Sequence, residues 1–204
     1  MTSTQQLDNY RKNIPGFLGT FAADELPSAS SIKPRPGGSS LIVNYSPIND
    51  PKGGTHWVAF LRLKDANSKK PFYFDSYGVS PDNDDLILNL NTDFRTFLKN
   101  CNASRLMDGF PYEWNKYDLQ AYRDVLNGST CGEWSCWAVR NGPPVYNDGQ
   151  FLGKWSPFYN TQIVSEGFKP TTNFAFARNQ KNEILAKKND YTIRKLVGIK
   201  QAIL

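Results

Sequence analysis

The chain is poor in the residues from which metal and disulfide sites are built. Its 204 residues hold one histidine and three cysteines, Cys101, Cys131 and Cys136. One imidazole and three scattered thiols do not supply a tetrahedral zinc set at normal spacing, so a metal site is not expected. An odd cysteine count with no C-x-x-C points to free thiols in a reducing compartment. No apolar run approaches the roughly 18 residues of a membrane-spanning helix, so no membrane partner is expected. The opening MTSTQQLDNYRK is polar and has none of the apolar character of a secretion signal, which predicts a protein that is not secreted. Internal repeats and low-complexity tracts are also missing.

What remains describes a folded globule. Hydrophobic residues make up 39% of the chain and aromatics 14%, too much apolar surface for a disordered chain. The length suits one domain over residues 1–204. The net charge of +5 is compatible with contact to nucleic acid or an acidic peptide, but ordinary proteins reach it too. Its basic pairs include Lys69-Lys70, Lys187-Lys188 and Arg194-Lys195, and most such pairs are merely solvated.

Patterning along the chain predicts an α+β fold. A short helix is expected over 4–13, and PSASSIKPRPGGSS (27–40) reads as a loop. Strands are expected over 40–45, 56–63 and 71–77, where aromatic and branched residues dominate, with a polar hairpin over 64–70 joining the last two. A helix start is expected at 80–85. Phe94, Phe97 and Leu98 have helical spacing within 92–100. Residues 113–120 suit a strand. Residues 131–142 suit a helix that stops at Asn141-Gly142. Two or three helices are expected after it. The last, over 190–204, has Ile193, Leu196, Val197, Ile203 and Leu204 on or near one face. Strands in the middle with helices around them make the class α+β.

Three positions combine into chemistry. Cys131 follows the turn residues Asn127-Gly128 and opens the expected helix. The positive end of a helix dipole favours thiolate, the nucleophilic form, and unpaired N–H groups there suit a developing oxyanion. His56, the lone imidazole, stands at a strand start after Gly53-Gly54, where a neutral ring takes a proton from a thiol and later gives one to a leaving amine. Asp75 interrupts the aromatic run FYFDSYG. An acid there is costly without a partner; pairing of its strand with that of His56 would let it orient the ring. Each residue has a plainer reading: a buried structural cysteine, a hydrogen-bonded surface histidine, a turn-initiating aspartate. Together they supply nucleophile, base and orienter on three separate elements.

These residues resemble the adenovirus-type maturation proteases, the adenain-like cysteine proteases related to SUMO and ubiquitin-like-protein proteases. The resemblance is carried by PGFLGTF (15–21), LIVNY (41–45), GGTHWVAF (53–60), YFDSYGVS (73–80) and STCGEWSC (129–136); the C-terminal third has no motif of it. The fold it implies is a central mixed sheet flanked by helices, papain-like or adenain-like, with the nucleophile at a helix N-terminus. In that family His56 corresponds to the base, Asp75 to the acid, Cys131 to the nucleophile, and Trp57 to a tryptophan lining the substrate channel. The plainer reading of Trp57 is a core aromatic on the opposite strand face.

The family's oxyanion glutamine, six or seven residues before the cysteine, is replaced here by Val125 and Asp124. Gln120, eleven residues upstream, and Asn127, four upstream, compete for the role. Gln120 is favoured because the strand-like YDL before it matches the family's arrangement. Adenovirus enzymes are activated by a disulfide-linked peptide and by DNA. Cys101 lies 30 residues before Cys131, too far to inherit the peptide-linking role, and Cys136 reads as core.

The resemblance therefore implies a cysteine endopeptidase that processes viral capsid or core precursor polypeptides during virion maturation through an acyl-enzyme, without metal or organic cofactor. The implied source is a DNA virus or virophage, and the implied setting is the virion and the assembly site inside the host cell. The enzyme would be a monomer, with DNA as an additional partner. Four alternatives stand beside it: a protease of ubiquitin-like modifiers, an acyltransferase with the same triad, a picornavirus-type protease of two β-barrels, and a basic DNA-binding virion protein without activity.

Overall fold

The computed structural model describes residues 4–11, 13–27, 38–51, 56–62, 71–79, 113–121, 129–163 and 180–198. The expected hairpin over 64–70, the helices at 80–85 and 92–100, Cys101, Asn127 and Lys69-Lys70 lie outside them. Helix α1 (Thr4–Arg11) is followed by strands β1 (Phe17–Phe21), β2 (Ser39–Asn44), β3 (Trp57–Arg62), β4 (Phe72–Phe74), β5 (Glu113–Trp114) and β6 (Tyr117–Asp118). Next come helix α2 (Cys131–Asn141), strands β7 (Tyr146–Asn147) and β8 (Gln150–Phe151), a 3₁₀ turn (Gly153–Trp155), strand β9 (Gln162–Ile163) and helix α3 (Gln180–Val197).

Strands β1 to β5 form one mixed sheet in that order. The β1–β2 and β4–β5 pairs are parallel, whereas β2–β3 and β3–β4 are antiparallel. The period-two alternation of a strand sends successive side chains to opposite faces, and here both faces are buried. Ile42, Trp57, Ala59, Leu61, Phe72 and Phe74 join one core, together with Cys131, Trp134 and Trp137 of α2. Leu41, Val43, Val58, Phe60 and Tyr73 join the other. That is why these strands read as continuous apolar runs. Every residue of α2 from Cys131 to Val139 is buried, as expected of a helix enclosed by the fold rather than lying on its surface. Its aromatic side is covered from below: Trp134 stacks on Trp155 at 6.3 Å and meets Phe158 at 4.6 Å.

The α+β class agrees with the sequence, and a central mixed sheet flanked by helices is not a pair of β-barrels. Several elements differ from expectation. PGFLGTF forms β1, an edge strand only half-buried along its length. Its central Gly19 and the register shift between Phe17 and Thr20 hide the alternation that marks a strand. The expected strand over 113–120 divides into β5 and β6 around Asn115-Lys116, which belong to different sheets. Where helices were expected after α2, the chain first makes the β7–β8 hairpin around Asp148-Gly149, both with positive φ, a turn signal of the favoured two-residue type. The last helix runs over Gln180–Val197, ten residues earlier than expected at its start, and the backbone N–H of Gly198 closes it on Arg194 O at 2.9 Å. Ile193 and Val197 are buried as the pattern required, but Leu196 is exposed.

Candidate active site

The sheet register brings His56 and Asp75 to one end of adjacent strands. Ala59 pairs with Phe74, so the residue just before β3 and the residue just after β4 emerge at the same edge. His56 Nε2 lies 3.0 Å from Asp75 Oδ1. On its other side His56 faces β2: its carbonyl accepts from Tyr45 N at 3.0 Å, and its ring meets Tyr45 edge-on at 5.1 Å and stacks on Tyr77 at 5.1 Å. With Nε2 used on Asp75, the nitrogen left for another partner is Nδ1. The Cys131 side chain is near enough to contribute to the ring's electrostatics.

Asp75 is almost completely buried, at 1% exposure, and is held from every side. Its Oδ1 also accepts the Tyr77 backbone N–H at 2.8 Å, and Oδ2 accepts the Tyr45 hydroxyl at 3.0 Å. Tyr45 also bonds the Tyr73 hydroxyl. Asn115, just past β5, reads both backbone groups of Asp75: its Oδ1 accepts Asp75 N at 2.7 Å and its Nδ2 donates to Asp75 O. The turn Asp75–Gly78 is closed by Gly78 N donating to Asp75 O at 2.8 Å. Gly78 has φ +68, and an added Cβ would stand 2.6 Å from the Tyr117 carbonyl carbon, so only glycine lets this turn lie against β6.

These contacts set the charge state. Burial opposes the His56 imidazolium, but the Asp75 charge, the hydrogen bond to it and the Cys131 side chain outweigh that and raise the pKa to about 10. The sequence reading has His56 as a neutral base; this shift instead favours the protonated ring. Burial first, then nearby negative charge, raises the Tyr45 and Tyr77 phenols and keeps them protonated; Tyr45 donates to Asp75 and Tyr77 accepts from Gln120.

The sulfur lies at the first residue of α2, 1% exposed. The helix is fixed to the strand of His56 by Ser135 Oγ, which donates to the Trp57 carbonyl at 3.1 Å. Ser129 Oγ donates to Cys131 Sγ at 3.2 Å. Gln120 Nε2 donates to that same Ser129 Oγ at 2.9 Å and to the Tyr77 hydroxyl at 3.2 Å, while Gln120 Oε1 accepts from Ser76 Oγ at 2.6 Å. The Ser76 carbonyl holds Leu119 N at 2.8 Å and Gln120 N at 3.1 Å. Gln120 is thus linked to the sulfur through Ser129 Oγ, although it stands further upstream than the family's spacing. Trp57 is 5% exposed and sits in the core shared with α2, because its side chain leaves β3 on the face packed against that helix. Cys136 is fully buried in the same core.

A histidine, a buried acid, a cysteine at a helix start and an amide thus converge. This chain is similar to a protease of known structure. The likeness is to the crystal structure of ASFV pS273R protease, at 12% identity and a TM-score of 0.43. It covers 93% of this chain and 66% of that one, so the chain spans just under two thirds of that protein's length. No family model matches the chain, and no curated protein does.

Four residues of this neighbourhood escaped the sequence reading: Tyr45, Asn115, Ser129 and Tyr77. Asn115 is the most legible of them in retrospect, a buried amide breaking the aromatic run YEWNKY, where a polar side chain needs a partner. Of the basic pairs, Lys188 lies 5.5 Å above the Tyr159 ring and Lys195 4.3 Å above Tyr191. Among the described residues, no group of three or more His, Cys, Asp or Glu comes together as metal ligands would, and no helix is long and apolar enough to cross a membrane.

Proposed function

We propose that this chain is a cysteine endopeptidase of the adenain-like kind. The observation that carries the proposal is the convergence of Asp75, 3.0 Å from His56 Nε2, with Cys131 at the start of α2, a helix that Ser135 fixes to the strand following His56. In this reading Cys131 attacks as the thiolate with His56 as the imidazolium beside it. Cys131 Sγ attacks the scissile carbonyl, and the new oxyanion is held by the Cys131 backbone N–H and by Gln120 Nε2, which releases one of its present acceptors to do so. His56 gives its proton to the leaving amine, and the C–N bond breaks to leave a thioester. The neutral ring then takes a proton from water, hydroxide attacks the thioester, and the acid product leaves as the thiolate is restored. Asp75 keeps the ring oriented throughout and stabilises it whenever it is charged.

The substrates in this reading are capsid or core precursor polypeptides of a DNA virus or virophage, cleaved by a monomer inside the virion or at the host assembly site. DNA would be a second partner. Two measurements test it. Iodoacetamide labelling near neutral pH, read by peptide mapping, should modify Cys131 well ahead of Cys136. Co-encoded capsid precursors should be cleaved by the wild type and left intact by Cys131→Ala. Cleavage confined to ubiquitin-like modifier fusions would replace the substrate assignment; no cleavage and no selective labelling would remove the enzyme. DNA affinity that falls steeply with salt would support the second partner, and no binding at low salt would eliminate it.

A further inference from the structure

The last helix reaches the neighbourhood of the site through one carboxylate. Asp190, in the middle of α3, is 8% exposed. Its Oδ1 accepts the Thr130 hydroxyl at 2.6 Å and the Trp134 indole N–H at 3.1 Å, both on or beside the first turn of α2. Its Oδ2 accepts the backbone N–H of Ala121 at 3.1 Å. One rigid group therefore spans from the residue preceding Cys131 to the residue following Gln120. The neighbouring Asn189 completes the bracket: its Nδ2 donates to Leu119 O at 3.2 Å and to Tyr159 O at 2.9 Å, and its Oδ1 accepts Tyr159 N at 2.7 Å. The backbone on both sides of Gln120 is thus tied to consecutive residues of α3.

Thr130 adds a second observation. It occupies the N-cap of α2, where a threonine oxygen ordinarily accepts an N–H of the first turn. Here it makes no such bond and donates to Asp190 instead. The first turn is left without a side-chain cap beside the nucleophile, and its anchorage is moved to α3.

We infer that Asp190 is a positioning residue, fixing the distance between the Gln120 amide and the Cys131 sulfur so that both meet one carbonyl. It touches neither the sulfur nor the imidazole and is not itself catalytic. The inference rests on the protease reading above. Burial raises the carboxyl to about 6, opposed by the hydrogen bonds from Thr130, Trp134 and Ala121 and by the charge of Arg194 on the same helix; of the other groups around it, Tyr77 feels its charge. Protonation would place a hydrogen where Thr130 and Ala121 already present theirs, so the bracket loosens on the acid side of that value.

The test uses Asp190→Asn, Thr130→Val and Thr130→Ser in the full chain. It reads kcat and KM on a cleaved precursor against pH, iodoacetamide labelling of Cys131, and urea denaturation. Asp190→Asn should lower kcat about 10- to 100-fold, the cost of a displacement on the order of 1 Å. KM should stay within about threefold, and the acid limb near pH 6 should disappear. Labelling of Cys131 should change only a few-fold, because the sulfur and His56 stay together. Thr130→Ser should behave as wild type, and Thr130→Val should lose kcat in the same sense. An unchanged kcat in Asp190→Asn, an acid limb that persists, or a loss that only tracks the unfolded fraction would overturn the inference while leaving the protease intact. If Asp190→Asn does not fold, the Thr130 pair decides by the same criteria. A wild type with neither cleavage nor selective labelling would remove the protease reading, and this inference with it.

Discussion

Two buried carboxylates serve the neighbourhood of Cys131, and their surroundings could hardly differ more. Asp75 lies at the end of the sheet with the His56 ring 3.0 Å away, and its charge acts outward, raising the pKa of that ring. Asp190 lies under a helix start with neutral donors on both oxygens and the charge of Arg194 further off, and its own carboxyl is the group displaced, upward to about 6. The difference teaches that burial of an acid does not by itself identify its role. A partner that can change charge makes the acid part of proton chemistry, whereas partners that only donate make it a fastener.

The largest effects should separate these roles. Cys131→Ala should abolish cleavage, a loss of about 10⁴-fold or more in kcat, with the fold retained by circular dichroism. Asp75→Asn should come next, lowering kcat by up to about 10⁴-fold as the ring loses its orientation and charge, well beyond the loss expected for Asp190→Asn. Equal losses in steady-state assays would erase the distinction between the two acids. Gln120→Ala should cost about 10²–10³-fold in kcat, and Asn127→Ala much less; the reverse order would move the oxyanion amide to Asn127.

Smaller effects concern stability. An imidazole raised from 6.5 to about 10 on folding contributes its stabilisation in full below about pH 6.5 and loses it as the pH climbs through about 10. Urea midpoints should fall over that range, and His56→Ala should flatten the fall. Ser135→Ala, which removes the bond to the Trp57 carbonyl, should cost only about 1 kcal/mol, read as a modest drop in Tm with near-normal turnover.

The half of the site on strands was legible in the sequence because each residue breaks a pattern. His56 opens an apolar run, Asp75 interrupts an aromatic one, and a strand pairing through a short connection brings them to one edge. Helix α2 was legible too, since Asn127-Gly128 precede it and Gly142 ends it. The residues around them were not. Tyr45 and Asn115 reach Asp75 across 30 and 40 positions of sequence, distances that no local period encodes. Asp190 sits in a charged, solvent-like stretch, KKNDYTIRK, where a single acid among basic residues is unremarkable until the fold buries it. For Trp57 the plainer reading, a core aromatic, describes its burial: alternation along β3 turns its side chain toward α2.

Both amide protons of Gln120 are engaged in the resting molecule, on Ser129 and on Tyr77. A planar, uncharged carbonyl has little to offer in exchange for either partner, whereas a full negative charge does. In the proposed reaction this makes the amide selective for the moment of bond formation: ground-state mimics should bind weakly, tetrahedral adducts such as those of peptide aldehydes should bind far more tightly, and the gap between the two should narrow when Ser129 or Tyr77 can no longer hold the amide back.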